Sequence, residues 1–408
     1  NYRQNILACE NVPLAKIAAE VGTPVYVYSV TELMNRARAY RQAAGNNALV
    51  CYAVKANGNP AILRLLQAEG LGADVTSGGE LFLALHGGMA PHKIIFSGTG
   101  KSRSEIELAV ASDIGALHVE SEMELEVVAR VAADLRSLAR ISVRVNPNIS
   151  ADTHPYDSTG RLDHKFGVPR ETAVALYERV VRDPWLEPSG LAAHIGSQIT
   201  NIEPYRELAD FLLRLASELT ARGIDLSYID AGGGLGIDYQ DEATPPISEW
   251  VAAVAGPVQN AGYRLLIEPG RSIVGPAGAL LTEVLYTKDQ GGKTFVVVDA
   301  GMNDLLRPAM YNAYHPIWPV SEPESGQTIT PVDVVGPVCE TGDFLGRDYP
   351  LPAVAPGDLL GIMQAGAYGF AMSSNYNGRV RLAEVLVNGD NFQIIRHRQR
   401  YEHLLDGC

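Results

Sequence analysis

Residues 50–60 read VCYAVKANGNP. The run from Leu49 to Ala56 has the apolar, aromatic and β-branched character of a buried strand, and one lysine, Lys55, interrupts it. Two features of this stretch decide the fold. It is the first of a series of similar runs separated by helical patterns, and it is not followed by the G-x-G-x-x-G of an open dinucleotide-binding sheet. Lysine is seldom buried without a group that pairs or neutralises it, so Lys55 also needs a chemical reason.

Further strand-like runs lie at 71–77, 93–98, 115–121, 140–146, 190–197, 226–234 and 263–270, which with 49–54 makes eight. The segments between them carry helical periodicity. EMELEVVARVAADL (122–135) places Met123, Leu125, Val127, Val128 and Val131 near one face, and residues 204–222 do the same with Phe211, Leu212, Leu215 and Leu219. Eight near-continuous apolar strands alternating with helices predict an α/β fold, a parallel (β/α)8 TIM-like barrel rather than an open doubly wound sheet. After Arg271 the helical patterns thin out. Runs at 279–287, 294–300, 332–337, 358–363 and 380–389 read as antiparallel strands joined by Gly/Pro loops. The expected organisation is a barrel over 31–270 and a C-terminal all-β, sandwich- or barrel-like domain over 271–408. The N-terminal segment 1–30, with its strand 23–29, is placed with the β domain.

A chain of 408 residues is long enough for two or three domains. Its net charge of −14 argues against a nucleic-acid or anionic-membrane partner. Four cysteines without a C-x-x-C spacing form neither a disulfide framework nor a zinc site, so no metal is expected and a reducing cytoplasm is the natural compartment. The first residues lack the basic head and apolar stretch of a signal peptide, and no run of 18 apolar residues is present to span a membrane.

In a parallel barrel the chemistry sits at the C-terminal ends of the strands. Those ends carry Lys55; Asp74, Ser77 and Gly78-Gly79-Glu80; Arg144 and Asn146; His194 and Ser197; GGGLG (232–236); and EPGR (268–271). Each alone has a bland reading, as a packed histidine or an ordinary glycine turn. Their shared position on six strands gives the joint reading its weight. Glycine loops after the seventh and eighth strands are the usual phosphate cradle of this fold, because bare backbone N–H groups approach phosphate oxygens closely. A lysine against apolar walls is a usable amine nucleophile, able to form an imine with a phosphate-bearing aldehyde. Pyridoxal 5′-phosphate (PLP) meets these requirements. Glu268 beside its pyridine nitrogen would keep that nitrogen protonated, which favours decarboxylation, and His194 would pack on the ring face.

The motifs YAVKAN (52–57), SGGEL (77–81), HIGSQ (194–198), GGGLG (232–236), EPGR (268–271), GMNDLLRPAMYNAYH (301–315), GPVCETGD (336–343) and GAYGFAMSSNYN (366–377) resemble those of the fold-type III PLP-dependent decarboxylases. Within that group they resemble the branch acting on meso-diaminopimelate. The resemblance implies that Lys55 carries the cofactor. It also implies that His194, Ser197, Gly233, Gly234, Glu268, Gly270, Arg271 and Tyr368 hold it. Catalytic roles fall to Lys55, His194 and Cys339, the last as proton donor supplied by the partner subunit of a homodimer with shared active sites. Arg271, Arg307, Tyr311, Glu340 and Tyr368 would bind substrate, and a loop within 150–168 would close over it. Meso-diaminopimelate carries an amino-acid head at each end. Arg271 and Arg307 suit the distal carboxylate and Glu340 the distal ammonium, whereas ornithine or arginine would leave the two guanidiniums unpaired. The implied reaction yields L-lysine and CO2, the last step of lysine biosynthesis. The rivals are a decarboxylase of ornithine, arginine or a carrier-linked amino acid, an alanine-racemase-like activity, and a catalytically dead regulator. The last is opposed by the presence of Lys55, Gly232–Gly234, Glu268 and Cys339 together.

Overall fold

The structure, a computed structural model, describes residues 1–150, 160, 164–240 and 243–408. It resolves into two compact units. One comprises Arg36–Ile237 and Ala243–Ser272; the other comprises Asn1–Asn35, a short stretch from Asp238, and Ile273–Cys408.

The first unit is the closed barrel. Its strands are β1 (Ala48–Ala53), β2 (Gly72–Val75), β3 (Ile94–Phe96), β4 (Ala116–Val119), β5 (Ala139–Arg144), β6 (Leu186–Ala192), β7 (Tyr228–Asp230) and β8 (Arg264–Ile267). All neighbours pair in parallel, and β8 closes on β1 through Leu265, Leu266 and Ile267 opposite Ala48, Leu49 and Val50. Side chains alternate in and out along each strand. Leu49, Cys51, Ile95, Ala116, Tyr228 and Leu266 meet in one buried apolar cluster inside the barrel. Cys51 is thus a packing residue.

Local chemistry fixes the return from strand to helix. After β1 the chain makes one 3-10 turn, Val54–Ala56, which contains Lys55, so the lysine stands one turn beyond the strand rather than within it. Asn57 Oδ1 then accepts from Asn59 N, and Asn59 caps the helix Pro60–Ala68 by accepting from Ala61 N at 3.0 Å. Proline at the first helical position completes the start signal. Ser77, Ser102 and Ser121 cap three more helices, a contribution of about 1 kcal/mol each. The helix Glu122–Leu135 buries Leu125, Val128, Val131 and Ala132, whereas Met123 is 78% exposed. Met123 lies in the first turn, off the stripe the other four define.

The second unit holds a mixed sheet. Its order is Phe344–Pro352, Ile329–Val335, Lys293–Val298, Gly278–Gln290, Val25–Ser29, Ala383–Asn388, Asn391–Arg396. Two of its pairings are parallel, Val25–Ser29 with Ala383–Asn388 and Lys293–Val298 with Ile329–Val335, which corrects the purely antiparallel expectation. Parallel pairing needs a long crossover, and the whole barrel lies between the first of these pairs in sequence. The helix Leu14–Val21 packs Leu14 and Ile17 against Val25, Val27, Leu281 and Val385. Most of the loop expected to close over substrate, 150–168, lies outside the described residues. Among the described residues no helix is long and apolar enough to cross a membrane.

Candidate active site

The polar residues at one mouth of the barrel lie on the strand ends and the loops directly after them. Lys55 Nζ is 3.1 Å from Asp74 Oδ2, with Asp74 fully buried at the end of β2 and the lysine side chain 36% exposed. The other Asp74 oxygen, Oδ1, is buried without a hydrogen-bond partner among the described residues.

Across the barrel interior, Glu268 follows β8 and Asp230 ends β7. His118 of β4 stands between them, its Nδ1 3.8 Å from Glu268 Oε1 and its Nε2 3.9 Å from Asp230 Oδ2. Ser97 Oγ and Tyr228 OH contact the same imidazole at 3.2 and 3.5 Å. Burial, then the mutual repulsion of nearby carboxylates, pushes Asp230 up to about 7 and Glu268 well above the ordinary carboxylate range. Burial, with Lys101 and Arg144 nearby, drives His118 well below the usual histidine value. These three side chains could reach a common ion, since their ligating atoms lie within 4.8 Å of one another. Carboxyls that retain protons are poor cation ligands, and the set works better as a store of protons beneath Glu268.

His194, just past β6, is also driven well below the usual histidine value, first by burial and then by Arg144 and Lys55. Its Nδ1 accepts from Gly233 N at 3.2 Å, which assigns the ring proton to Nε2. Ser197 Oγ accepts from Arg271 Nε and Nη2 at 3.3 and 3.0 Å. The triple-glycine loop is obligatory for packing. A Cβ on Gly233 would overlap the Glu268 carbonyl, and one on Gly234, whose φ is +108°, would overlap the Gly196 carbonyl. The loops after β6, β7 and β8 therefore touch backbone to backbone. On the remaining side Glu120 accepts from Gly98 N, Gly167 N and Arg144 Nη1, and Arg144 stacks on Phe166 at 4.8 Å.

The residues present fit PLP. A lysine amine at the mouth can hold its aldehyde, and the tightly packed glycine loops bring bare backbone to the same mouth. Ser197 and Arg271 offer polar and cationic groups for phosphate. Glu268 is a buried carboxyl whose hold on a proton is strengthened by burial and by Asp230 and Asp74, which suits it to share a proton with a ring nitrogen.

Of the residues singled out in the sequence, Lys55, His194, Ser197, Gly233, Gly234, Glu268, Gly270 and Arg271 belong to the barrel unit. Arg307, Tyr311, Cys339, Glu340 and Tyr368 belong to the other unit. There, buried Arg307 donates to Tyr239 OH at 2.9 Å, contacts His315 Nε2 at 2.8 Å and stacks on Tyr239. Tyr311 is half-buried on the same short helix, Arg307–Tyr311. Cys339 and Glu340 are exposed on a turn pinned by Asp343, which accepts from Met302 N and Val338 N, while Asn377 Oδ1 accepts from Cys339 N at 2.8 Å. Tyr368 adopts φ +57°, the left-handed region that a tyrosine enters only at a cost of about 1 kcal/mol or more. His118 and Asp230 escaped the sequence reading. Their signal was the period-two alternation along β4 and β7, which aims both inward.

A parallel eight-stranded barrel with an amine, a proton-bearing carboxyl and a glycine cradle at one mouth defines a pyridoxal-dependent lyase scaffold. Residues 28–275 match the family model described as pyridoxal-dependent decarboxylase, pyridoxal binding domain. A diaminopimelate decarboxylase of Aquifex aeolicus is 46% identical over 99% of this chain and 96% of its own. One of Pseudomonas aeruginosa is 45% identical over 100% of this chain and 98% of its own. The crystal structure of diaminopimelate decarboxylase from Helicobacter pylori complexed with L-lysine aligns with a TM-score of 0.93 at 42% identity, covering 96% of this chain and 98% of that one. The chain belongs to the diaminopimelate decarboxylase family.

Proposed function

We propose that this protein is a PLP-dependent carboxy-lyase that converts meso-2,6-diaminopimelate to L-lysine and CO2, the last step of lysine biosynthesis. The observation that carries the reading is the Lys55–Asp74 pair facing Glu268 and the glycine cradle, in a chain aligned end to end with diaminopimelate decarboxylases. Other amino-acid substrates are not favoured. A lysine/ornithine decarboxylase of Vibrio vulnificus shares only 24% identity, a likeness of fold alone.

When bound, PLP supplies an electron-poor ring that takes up the electron pair left at Cα as the carboxylate departs. Lys55 would hold the cofactor, and Asp74 orients its amine. Glu268 would hold a proton at the pyridine nitrogen, kept available by burial and by Asp230 behind it. His194, neutral and fixed by Gly233, would cover the ring face. Ser197, Gly233, Gly234, Gly270 and Arg271 would hold the phosphate end, together with Tyr368.

Loss of CO2 leaves one proton to be delivered to Cα. The Cys339 thiol is assigned that proton, and its backbone is fixed by Asn377. Arg271, Arg307, Tyr311, Glu340 and Tyr368 are assigned to substrate, the arginines to the distal carboxylate and Glu340 to the distal ammonium. The exposure of Cys339 and Glu340 in the single chain supports a homodimer in which they complete a partner's site. A cytoplasmic location is supported by the free cysteines.

The test is CO2 release by the purified, PLP-loaded protein on meso-diaminopimelate, ornithine and arginine. The expected kcat/KM for meso-diaminopimelate exceeds the other two by about 100-fold or more. Equal or faster turnover of ornithine or arginine would overturn the assignment.

A further inference from the structure

The sheet unit contains a cavity of about 620 Å³ whose lining, apart from Phe370 of the 366–377 stretch, lies outside the motifs used above. Four arginines line it, Arg381, Arg396, Arg398 and Arg400, with His397 and His403, all but the first from the C-terminal stretch RHRQRYEH (396–403). In a chain of net charge −14 this is a conspicuous concentration of positive charge.

Two of the guanidiniums, Arg381 and Arg398, are held by groups that do not neutralise them. Arg381 donates to Ser373 Oγ at 2.9 Å and to the Phe370 carbonyl at 3.0 Å. Arg398 donates to the carbonyls of Gly22 and Pro24 at 3.2 and 2.8 Å. Arg381 and Arg396 both stack on the Phe370 ring, at 4.3 and 4.7 Å from its centre. Burial and the neighbouring Arg396 make Arg381 less willing to hold its proton.

Among the described residues, the carboxylates nearby are few and occupied. Glu384 is buried behind Arg396 and bonded to it at 2.5 Å, and it also accepts from Tyr28 OH. Glu20 on the rim pairs loosely with Lys16 at 4.0 Å. Asp299 and Asp304 act on Arg398 only through space. Arg400 reaches Glu402 at 3.8 Å, with both side chains 80% exposed. Like-charged guanidiniums fixed around a concave space are costly unless an anion enters.

We infer that this cavity is a binding site for a small molecule bearing two or more oxyanion groups, phosphate or carboxylate. Planar guanidinium forks suit such groups, and fixing Arg381 and Arg398 beforehand on neutral acceptors lowers the entropy lost when the ligand arrives. The cavity has the volume of a metabolite site rather than of a single ion. Two guanidiniums already lie against the Phe370 ring, so recognition is by charge and hydrogen bonding rather than by stacking on that ring.

The experiment is calorimetric titration of the PLP-loaded protein with pyrophosphate, and separately with citrate, at about 0.15 M salt, where diffuse surface attraction is screened. The expected result is saturable binding of at least one of them with Kd below about 1 mM. Tighter pyrophosphate assigns the phosphate class, and tighter citrate the carboxylate class. Arg398→Gln is expected to weaken binding about tenfold or more, and Arg400→Gln, on the rim, a few-fold, both with unchanged decarboxylation. Because Arg398 also ties down Gly22 and Pro24, Arg400→Gln serves where Arg398→Gln folds poorly. Absence of saturable binding up to about 10 mM of either anion overturns the inference. So does binding that neither variant affects, which would place the anion elsewhere. A change of oligomeric state in the variants without anion binding by the wild type would also overturn it, assigning the cavity to a second copy.

Discussion

Lys55 Nζ and Asp74 Oδ2 stand 3.1 Å apart, and Asp74 Oδ1 beside them is buried without a hydrogen-bond partner among the described residues. One oxygen of the carboxylate orients the amine, and the other is left unsatisfied inside the barrel mouth. A buried acceptor of this kind is costly and persists where it serves chemistry.

Replacing the amine separates the two roles. Lys55→Ala is expected to abolish measurable turnover while the far-ultraviolet circular dichroism stays native. Unchanged CO2 release would show that another group carries the cofactor. Asp74→Asn keeps shape and removes charge. It is expected to lower kcat/KM roughly tenfold to a hundredfold, the size of one lost charge-assisted hydrogen bond. Wild-type kinetics in this variant would deny Asp74 any part in placing the amine.

The acid pair gives a pH signature. Asp230 titrates at about 7 in the folded protein, against about 4 for an unfolded aspartate. Between those values the folded chain holds more protons than the unfolded one. The stability contributed by this group is present below about pH 4 and lost as pH rises through 7. In the cofactor-free protein, Asp230→Asn removes that loss. The unfolding free energy of the variant minus that of the wild type should therefore grow from pH 4 to pH 7. His118 and His194, shifted down, slope the opposite way in both proteins and largely cancel in the difference. A difference that stays flat across this range would contradict a protonated Asp230.

Two glycines make a matched comparison. Gly234→Ala places a methyl group onto the Gly196 carbonyl at a φ of +108°, and is expected to lose PLP binding, read as loss of visible absorbance on purification. Gly256→Ala sits exposed in the helix Ile247–Asn260, directly before Pro257, and meets no atom within 4 Å beyond its chain neighbours and its own helix. It is expected to keep full PLP occupancy, while the pre-proline clash withholds the roughly 0.5–1 kcal/mol that Gly→Ala usually gains in a helix, read by urea titration. PLP retained at full occupancy in Gly234→Ala would mean that the three loops are not locked together.

Cys339→Ala tests the proton donor. The thiol is exposed, so unfolding should change by less than about 0.5 kcal/mol. Product formation should fall about 100- to 10,000-fold, the usual contribution of a positioned acid. Cys51, buried in the barrel, should resist thiol reagents that modify Cys339, since burial pushes its acidity far down. An undiminished rate in Cys339→Ala would pass the role to another group.

Much of this is legible in the sequence. Strand number, parallel order and the polar ends of the strands follow from local pattern. A buried strand must be apolar, a helix must keep a 3.6-residue stripe, and serine or asparagine must cap its start. Lys55, His194, Glu268 and the glycine loops announced themselves because each breaks its own strand pattern at the same end. What the chain could not display in one dimension is the company each residue keeps. His118 and Asp230 look like ordinary strand residues, and they meet Glu268 only because closure of β8 on β1 fixes a single register around the ring. The parallel pairing of Val25–Ser29 with Ala383–Asn388 was hidden for the same reason, its halves lying at opposite ends of the sequence. The guanidiniums around Phe370 were invisible too, because Arg381 joins the C-terminal arginines only when the strands Ala383–Asn388 and Asn391–Arg396 pair. Periodicity is a property of neighbours along the chain. Proximity across a barrel or a sheet is decided by register and closure, and these are settled only when every strand is packed at once.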